Sequence, residues 1–543
     1  MRLDYKWQAA LISALGLFMA VLDNTIVNVA LPQMIKSFNS NLTTIEWVVT
    51  AYFLAQAAVI PVTGYLSDRI GTKTVFLSAL AVFTLGSALC AVAPTEQALI
   101  GFRVLQGIGG GALFPIAFAI VFRAFPPQER GAAGAVIGVP VLLAPAFGPT
   151  IGGFLTTTFN WNAIFLINVP IGIAAIIVGF IVLHGRASEH AGSEAQPAGA
   201  RFDILGFILS MTGVTALVYG ITEAGNHGWN DVPFDRYQVF GVTIEASVVR
   251  FLILGGILLV AFVIVELRSS DPVMDVRLFT NYTFAVANVL TWAISGLLFG
   301  SIFLLPLFFE NIRGLTALNT GEILISQGLA AGVTTVIAGR FYNSVGPRIL
   351  AAIGFVLIAV GTYGFTQLDL QSSGQSVQFW LVLRGFGLGL TNIPLQTLAL
   401  SVVSNRAMAR ASSLSTVTRQ VAGALGIAAI STYLTQQVAN QAITVAKTFQ
   451  TTQLTTAQSA CAVTYGHNIP AITACVKQTA TSYVGHHAFV LGLDQTFVVL
   501  TILTGACVVL ALLVGRDPAV EAVKQAAARG ESVATSQPAI VGE

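Results

Sequence analysis

Apolar runs of eighteen residues or more recur along almost the whole of this 543-residue chain. A run of that length crosses about 30 Å of hydrocarbon as a helix. Only 9% of the residues are charged, against about 25% in a soluble protein. The chain therefore reads as an all-α polytopic membrane protein. Fourteen spans are expected, near 8–30, 46–66, 74–93, 97–121, 131–156, 162–184, 203–222, 249–267, 282–308, 320–339, 349–368, 376–400, 412–436 and 490–514. The first run lacks a small-residue cleavage site and contains Asp23, so it reads as a span and not as a removed signal peptide. A net charge of +2 gives no argument for nucleic acid.

Lysine and arginine in short loops set the orientation. With the N-terminus cytoplasmic, Arg69, Lys73, Arg123, Arg130, Arg186, Arg201, Arg268, Arg277, Arg340, Arg348, Arg406 and Arg410 fall in cytoplasmic loops. Arg2, Lys6, Arg516, Lys524 and Arg529 fall on cytoplasmic tails. Lys36, Arg236, Arg250, Arg313, Lys447 and Lys477 are left outside. The expectation is a multi-pass protein of the cell (inner) membrane with both termini cytoplasmic. Segment 437–489 is then extracytoplasmic. It holds Cys461 and Cys475, whose polar setting and lack of metal-like spacing favour a disulfide over two free thiols.

The chain repeats itself. Gly64-Tyr65-Leu66-Ser67-Asp68-Arg69-Ile70-Gly71-Thr72-Lys73 follows span two, and Gly339-Arg340-Phe341-Tyr342-Asn343-Ser344-Val345-Gly346-Pro347-Arg348 follows span ten. Span four has Arg103, glycines at 107 and 109–111, and Pro115. Span twelve has Arg384, glycines at 385, 387 and 389, and Pro394. Parallel repeats of this kind build many secondary transporters, with the substrate site between them. The expected organisation is a six-helix half over 1–185, an inserted two-helix hairpin with linkers over 186–280, a second half over 281–515 that includes the 437–489 loop, and a cytoplasmic tail over 516–543.

Embedded charges carry the functional reading. A carboxylate inside a span costs about 2.5–3.5 kcal/mol on insertion scales, so Asp23 calls for a partner or a task. At 1.5 Å per residue Asp23 and Arg103 both lie roughly 10 Å below the outer surface, a shared level that would let them pair. Such a pair can act as a proton switch, because burial and a nearby arginine push a carboxyl in opposite directions. A cationic substrate could compete for the same carboxylate. Arg384 and Arg419 are further embedded charges, open between a functional role and a structural clamp on backbone carbonyls. Glu322, at the outer end of span ten, is a second coupling candidate; an interfacial helix start explains it as well. Asp68, Arg69 and Lys73 sit where a lock between helix ends would form, although positive-inside anchoring alone also accounts for the basic pair. Gly148, Pro149, Gly152 and Gly153 lie in a span kinked by proline and open to close helix approach. No Walker-type phosphate loop or enzyme constellation is present, and no cofactor or metal is implied. His486-His487 reads as part of a solvated loop.

Leu22-Asp23-Asn24-Thr25-Ile26-Val27-Asn28-Val29-Ala30-Leu31-Pro32, the Gly64–Lys73 loop, Arg103-Val104-Leu105-Gln106-Gly107, Gly148-Pro149-Thr150-Ile151-Gly152-Gly153, Phe202-Asp203-Ile204-Leu205-Gly206 and Arg419-Gln420-Val421-Ala422-Gly423 occur in this order. Together they resemble the major facilitator superfamily, and within it the fourteen-span drug:proton antiporters. The resemblance implies the major facilitator fold, rocking between inward- and outward-facing states, and proton-driven export of amphipathic or cationic compounds. It also implies that spans one and four line the central cavity. Relatives in two-membrane bacteria often work with a periplasmic adaptor and an outer-membrane channel, so the resemblance allows such partners here. Two departures stand out. Asn343 and Ser344 replace Asp68 and Arg69 in the second loop copy, which implies a weaker second lock, and Glu322 matches no signature. Transport of one physiological solute, or a sensor or scaffold role without transport, remain the rival readings.

Overall fold

The computed structural model describes residues 4–40, 42–183, 203–227, 235–239, 242–269, 272–404, 407–465, 468–515, 517 and 520–521. Arg2, Arg186, Arg201, Phe202, Arg406, Arg516, Lys524 and Arg529 lie outside the described residues, as does nearly all of the 516–543 tail. The α-helices, numbered in chain order, are α1 Tyr5–Phe38, α2 Leu42–Ile70, α3 Thr72–Ala91, α4 Glu96–Ala124, α5 Arg130–Thr158, α6 Ala163–Leu166, α7 Asn168–Val182, α8 Ile204–His227, α9 Val248–Arg268, α10 Tyr282–Leu307, α11 Ala317–Val345, α12 Pro347–Gly364, α13 Gly374–Ser401, α14 Met408–Thr448, α15 Leu454–Tyr465 and α16 Ile469–Leu513. Among the described residues, eleven helical segments are long and apolar enough to cross a membrane. The molecule is a multi-pass membrane protein. One two-stranded antiparallel hairpin, β1 Asp235–Val239 with β2 Val242–Ala246, joins α8 to α9. Its valines, threonine, tyrosine and isoleucine suit strands.

The sequence repeat has a backbone cause. Gly71 and Gly346 hold φ of 92° and 95°, a region open to glycine and strained for other residues. Each turns the chain between two antiparallel helices, α2 into α3 and α11 into α12. The helices pair in the same order on either side of the β-hairpin. Before it, α4 packs on α2 and α3, α1 on α5, and α3 on α7. After it, α13 packs on α11 and α12, α10 on α14, and α12 on α16. The glycine runs allow this: a Cβ on Gly109 would strike the backbone of Phe83, and one on Gly389 the backbone of Ala331. The two sets meet along α5 with α11 and α2 with α14. Lys6 at the start of α1 reaches Glu129, and Asp68 reaches Arg123 and Arg410, so these residues share one face, termed the terminal face.

The expected loop 437–489 is helical. α14 runs unbroken through Thr448, a π turn spans Phe449–Gln453, and α15 and the start of α16 complete a projection. Alanine, glutamine and lysine are good helix formers, which a count of polar residues overlooks. Asn468 caps α16 by accepting from Ala471 N at 3.2 Å, and Pro470 fits its first turn. His486 and His487 accordingly lie on a helix, where the His487 ring stacks on Tyr483 at 3.8 Å. Cys461 and Cys475 are joined as a disulfide. A cross-link closing a loop of this size stabilises by about 3 kcal/mol. Replacing both cysteines by alanine should leave the membrane body folded and speed tryptic cleavage at Lys477, read on a gel.

Candidate functional site

Asp23 and Arg103 meet in the middle of the first helix set. Asp23 is 0% and Arg103 1% exposed, and Arg103 Nη1 donates to Asp23 Oδ2 at 2.5 Å. An isolated charge here would be very costly, so every remaining valence matters. Asp23 Oδ1 accepts from Gln106 Nε2 at 2.8 Å and from Asn168 Nδ2 at 3.1 Å. Arg103 Nε donates to Val48 O at 2.9 Å, and Nη1 also reaches Gln106 Oε1 at 2.7 Å. The guanidinium lies over the Tyr52 ring at 3.9 Å, and Phe165 stands 5.6 Å away. Ser87 Oγ accepts from both amides and donates to Phe165 O. Five helices thus supply one closed network around a single ion pair: α1, α2, α3, α4 and α7, with Phe165 from α6 beside it.

Helix geometry explains the convergence. Gln106 lies three residues after Arg103, on the same face of α4. Asn168 opens α7 just after the short break at Ile167. Neither amide was singled out from sequence, although Gln106 sits inside the quoted Arg103–Gly107 motif. A neutral amide in an apolar run costs less than a charge and stands out less.

Gly148 and Gly152 bring α5 against α1 beside this site. A Cβ on Gly148 would overlap Thr25 Oγ1, and one on Gly152 would lie 3.0 Å from Ile26 O. Pro149 faces the other way, toward Gly321 of α11. Gly153 is half-buried. Gly148→Val should overpack this contact, at a cost of about 1–3 kcal/mol. Its expected result is a lower thermal unfolding midpoint in detergent than for Gly153→Ala.

The second cluster lies on the terminal face. Asp68 accepts from Arg123 Nη2 at 3.1 Å and from Arg410 Nε at 2.9 Å. Arg410 belongs to α14, so this carboxylate ties the two helix sets together. Arg410 was read from sequence only as a loop charge, because its partner lies far away in the chain. Arg69 packs its guanidinium over Tyr65 at 4.9 Å, and Lys73 donates to Phe180 O at 2.8 Å. Gly64 lets α2 press on α14: a Cβ there would stand 2.7 Å from Ala409 O and 2.8 Å from Ser413 Oγ. Beside the α5–α11 seam, Asn343 Nδ2 of α11 donates to Gln128 O of the turn before α5 at 2.5 Å, and Arg130 Nη1 at the start of α5 donates to Ser401 O at the end of α13 at 3.1 Å. The second copy of the loop therefore joins the sets with a neutral amide where the first uses an ion pair.

The structure does not bring the other candidates to Asp23. Glu322 is exposed near the start of α11. Arg384 is buried in α13, its guanidinium 5.8 Å from the Phe365 ring. Arg419 donates to Gln396 Oε1 at 3.3 Å.

Residues 13–427 match the sequence profile of the Major Facilitator Superfamily. The chain belongs to that superfamily. It is 35% identical over 429 residues to the multidrug resistance protein B homolog of Mycobacterium tuberculosis, covering 78% of this chain and 76% of that protein. It is 32% identical over 429 residues to the multidrug export protein EmrB of Escherichia coli, covering 78% and 79%. Among solved structures, the human organic anion transporter MFSD10 superposes with a TM-score of 0.58 at 14% identity, over 92% of this chain and 100% of that one. A bacterial homolog of the human lysosomal transporter Spinster superposes at 0.51 and 15% identity, over 97% and 99%. These superpositions support the superfamily fold.

Proposed function

We propose that this major facilitator exports amphipathic or cationic drugs and toxic compounds in exchange for protons, by alternating access. The observation that carries the reading is the buried Asp23–Arg103 pair, a titratable group held by five helices at the core of one helix set. Taking up a proton removes the charge that Arg103, Gln106 and Asn168 are arranged to hold, so the network must rearrange. The chain's similarity to the multidrug resistance protein B homolog of M. tuberculosis and the multidrug export protein EmrB of E. coli supports a drug-export reading.

In this reading α10, α13 and α14 cross the membrane along with the eleven segments above, giving fourteen spans. Helices α8 and α9 are the inserted pair between halves 1–185 and 281–515. The terminal face is cytoplasmic, the membrane is the inner one, and Asp68, Arg123 and Arg410 form the cytoplasmic gate. The 437–489 projection then stands on the outer side, where a periplasmic adaptor leading to an outer-membrane channel would meet it.

The test is movement of several chemically unrelated cationic dyes by purified protein in vesicles with an imposed pH gradient. The expected result is gradient-dependent transport of more than one dye, with matching proton flux. Transport of one solute alone would narrow the reading to a dedicated exporter. Absence of any substrate or proton movement would overturn it.

A further inference from the structure

A second carboxyl pair lies at the terminal-face base of the α8–α9 pair. Asp203 caps α8: Gly206 N donates to its Oδ1 at 2.7 Å. Glu266, in the last turn of α9, is 1% exposed, and its Oε1 accepts from Val273 N at 3.1 Å. The two side chains converge over Gly206. Asp203 Oδ2 and Glu266 Oε1 would each stand 2.9 Å from a Cβ at that position. Asp203 Oδ2 and Glu266 Oε2 are buried and have no hydrogen-bond partner among the described residues.

Two carboxylates that converge on one spot, each with a buried and unbonded oxygen, repel each other, and one shared proton relieves both the repulsion and a missing hydrogen bond. Among the described residues, two basic side chains bond the backbone beside the pair. Arg410 approaches from α14, where its Nη1 donates to Pro272 O at 2.9 Å while its Nε holds Asp68. Arg277 binds the end of α9 through Leu267 O at 2.8 Å. Pro272 is the residue before Val273, whose N–H Glu266 accepts. The carboxyl pair is thus one peptide unit from the arginine that closes the gate.

We propose that Asp203 and Glu266 form a proton-binding site, separate from Asp23, that sets the strength of the Asp68–Arg410 gate. With one proton bound, the pair carries a single charge and the 272–274 strap stays seated. Loss of that proton leaves two negative charges. They repel each other, loosening the strap, and the added charge draws Arg410 away from Asp68. Higher pH on the terminal face therefore favours opening there. The inference rests on the alternating-access reading above, but its readout is gate conformation and not transport.

The experiment measures spin-label distances between Thr74→Cys and Ser344→Cys, exposed positions of the two helix sets on the terminal face. Cys90 and Cys507 are replaced in the background. The open fraction is expected to rise several-fold as pH is raised through the neutral range. Glu266→Gln and, independently, Asp203→Asn should flatten this response, since each keeps an acceptor oxygen but ends the proton sharing. Asp23→Asn should leave it in place, which separates failure of this site from failure of the proposed transport mechanism. An unchanged pH response in a folded Glu266→Gln or Asp203→Asn protein would overturn the proposal, as would no response in the unsubstituted pair. A shift driven by sodium or potassium at fixed pH would reassign the site to a metal cation and overturn its role as a proton site.

Discussion

Asp23→Asn is expected to yield a folded protein that no longer moves a cationic dye in response to a pH gradient. Breaking a buried ion pair costs about 3–5 kcal/mol when one charge is left alone. Here the cost is reduced, because Arg103 keeps Val48 O, Gln106 Oε1 and the Tyr52 ring, and the asparagine oxygen can still accept from it. The amide nitrogen then faces Gln106 and Asn168; Gln106 keeps its oxygen on Arg103, and the Asn168 amide can turn to offer its oxygen. Folding survives, whereas titration does not: an amide takes up no proton at physiological pH. The measurement is dye transport in vesicles at matched protein density, with size-exclusion profile and thermal midpoint as folding checks. Gradient-driven transport at wild-type rate in this variant would remove Asp23 from the coupling mechanism.

Loss of the proposed gate should produce the second large effect. Arg410→Ala removes the hydrogen bonds to Asp68 and to Pro272 O together. A hydrogen bond to a charged group contributes about 1.5–3 kcal/mol, so the balance between closed and open terminal faces should move by about tenfold or more. Ser413 reports on this, being fully buried against Gly64. In a background without Cys90 and Cys507, Ser413→Cys should react slowly with a membrane-impermeant maleimide, and at least several-fold faster once Arg410→Ala is added. Asn343→Ala, which removes only a neutral amide contact to Gln128 O, should have the smaller effect. Equal labelling rates with and without Arg410 would show that Asp68–Arg410 does not hold the face shut.

Some of this was legible in the residues themselves. The apolar runs marked the helices, because hydrocarbon thickness fixes their length. The recurring Gly71 and Gly346 marked the turns, because φ above 90° excludes side chains there. Depth counting brought Asp23 and Arg103 to one level because both lie on regular helices. What sequence left out has physical reasons too. Gln106 and Asn168 are neutral and carry no charge signal. Arg410 meets Asp68 across 342 positions of chain, and no local pattern announces such a contact. Segment 437–489 is polar, and polarity alone does not separate a solvated loop from a solvated helix. Glu322 is a charge near a span, and it lies exposed near the start of α11.

The continuity of α14 has a mechanical side. Arg410 stands in its first turn and Lys447 in its last, with no break between them. Forty-one residues make a rod roughly 60 Å long. A tilt of about 10° where the rod leaves the gate would carry its far tip through roughly 10 Å at that length. Beyond the π turn at Phe449–Gln453 the next helix, α15, is stapled to α16 by the Cys461–Cys475 disulfide, so the displacement would pass into a cross-linked pair and not into a slack loop. The latch at the terminal face and the projection beyond Thr448 are two ends of one lever.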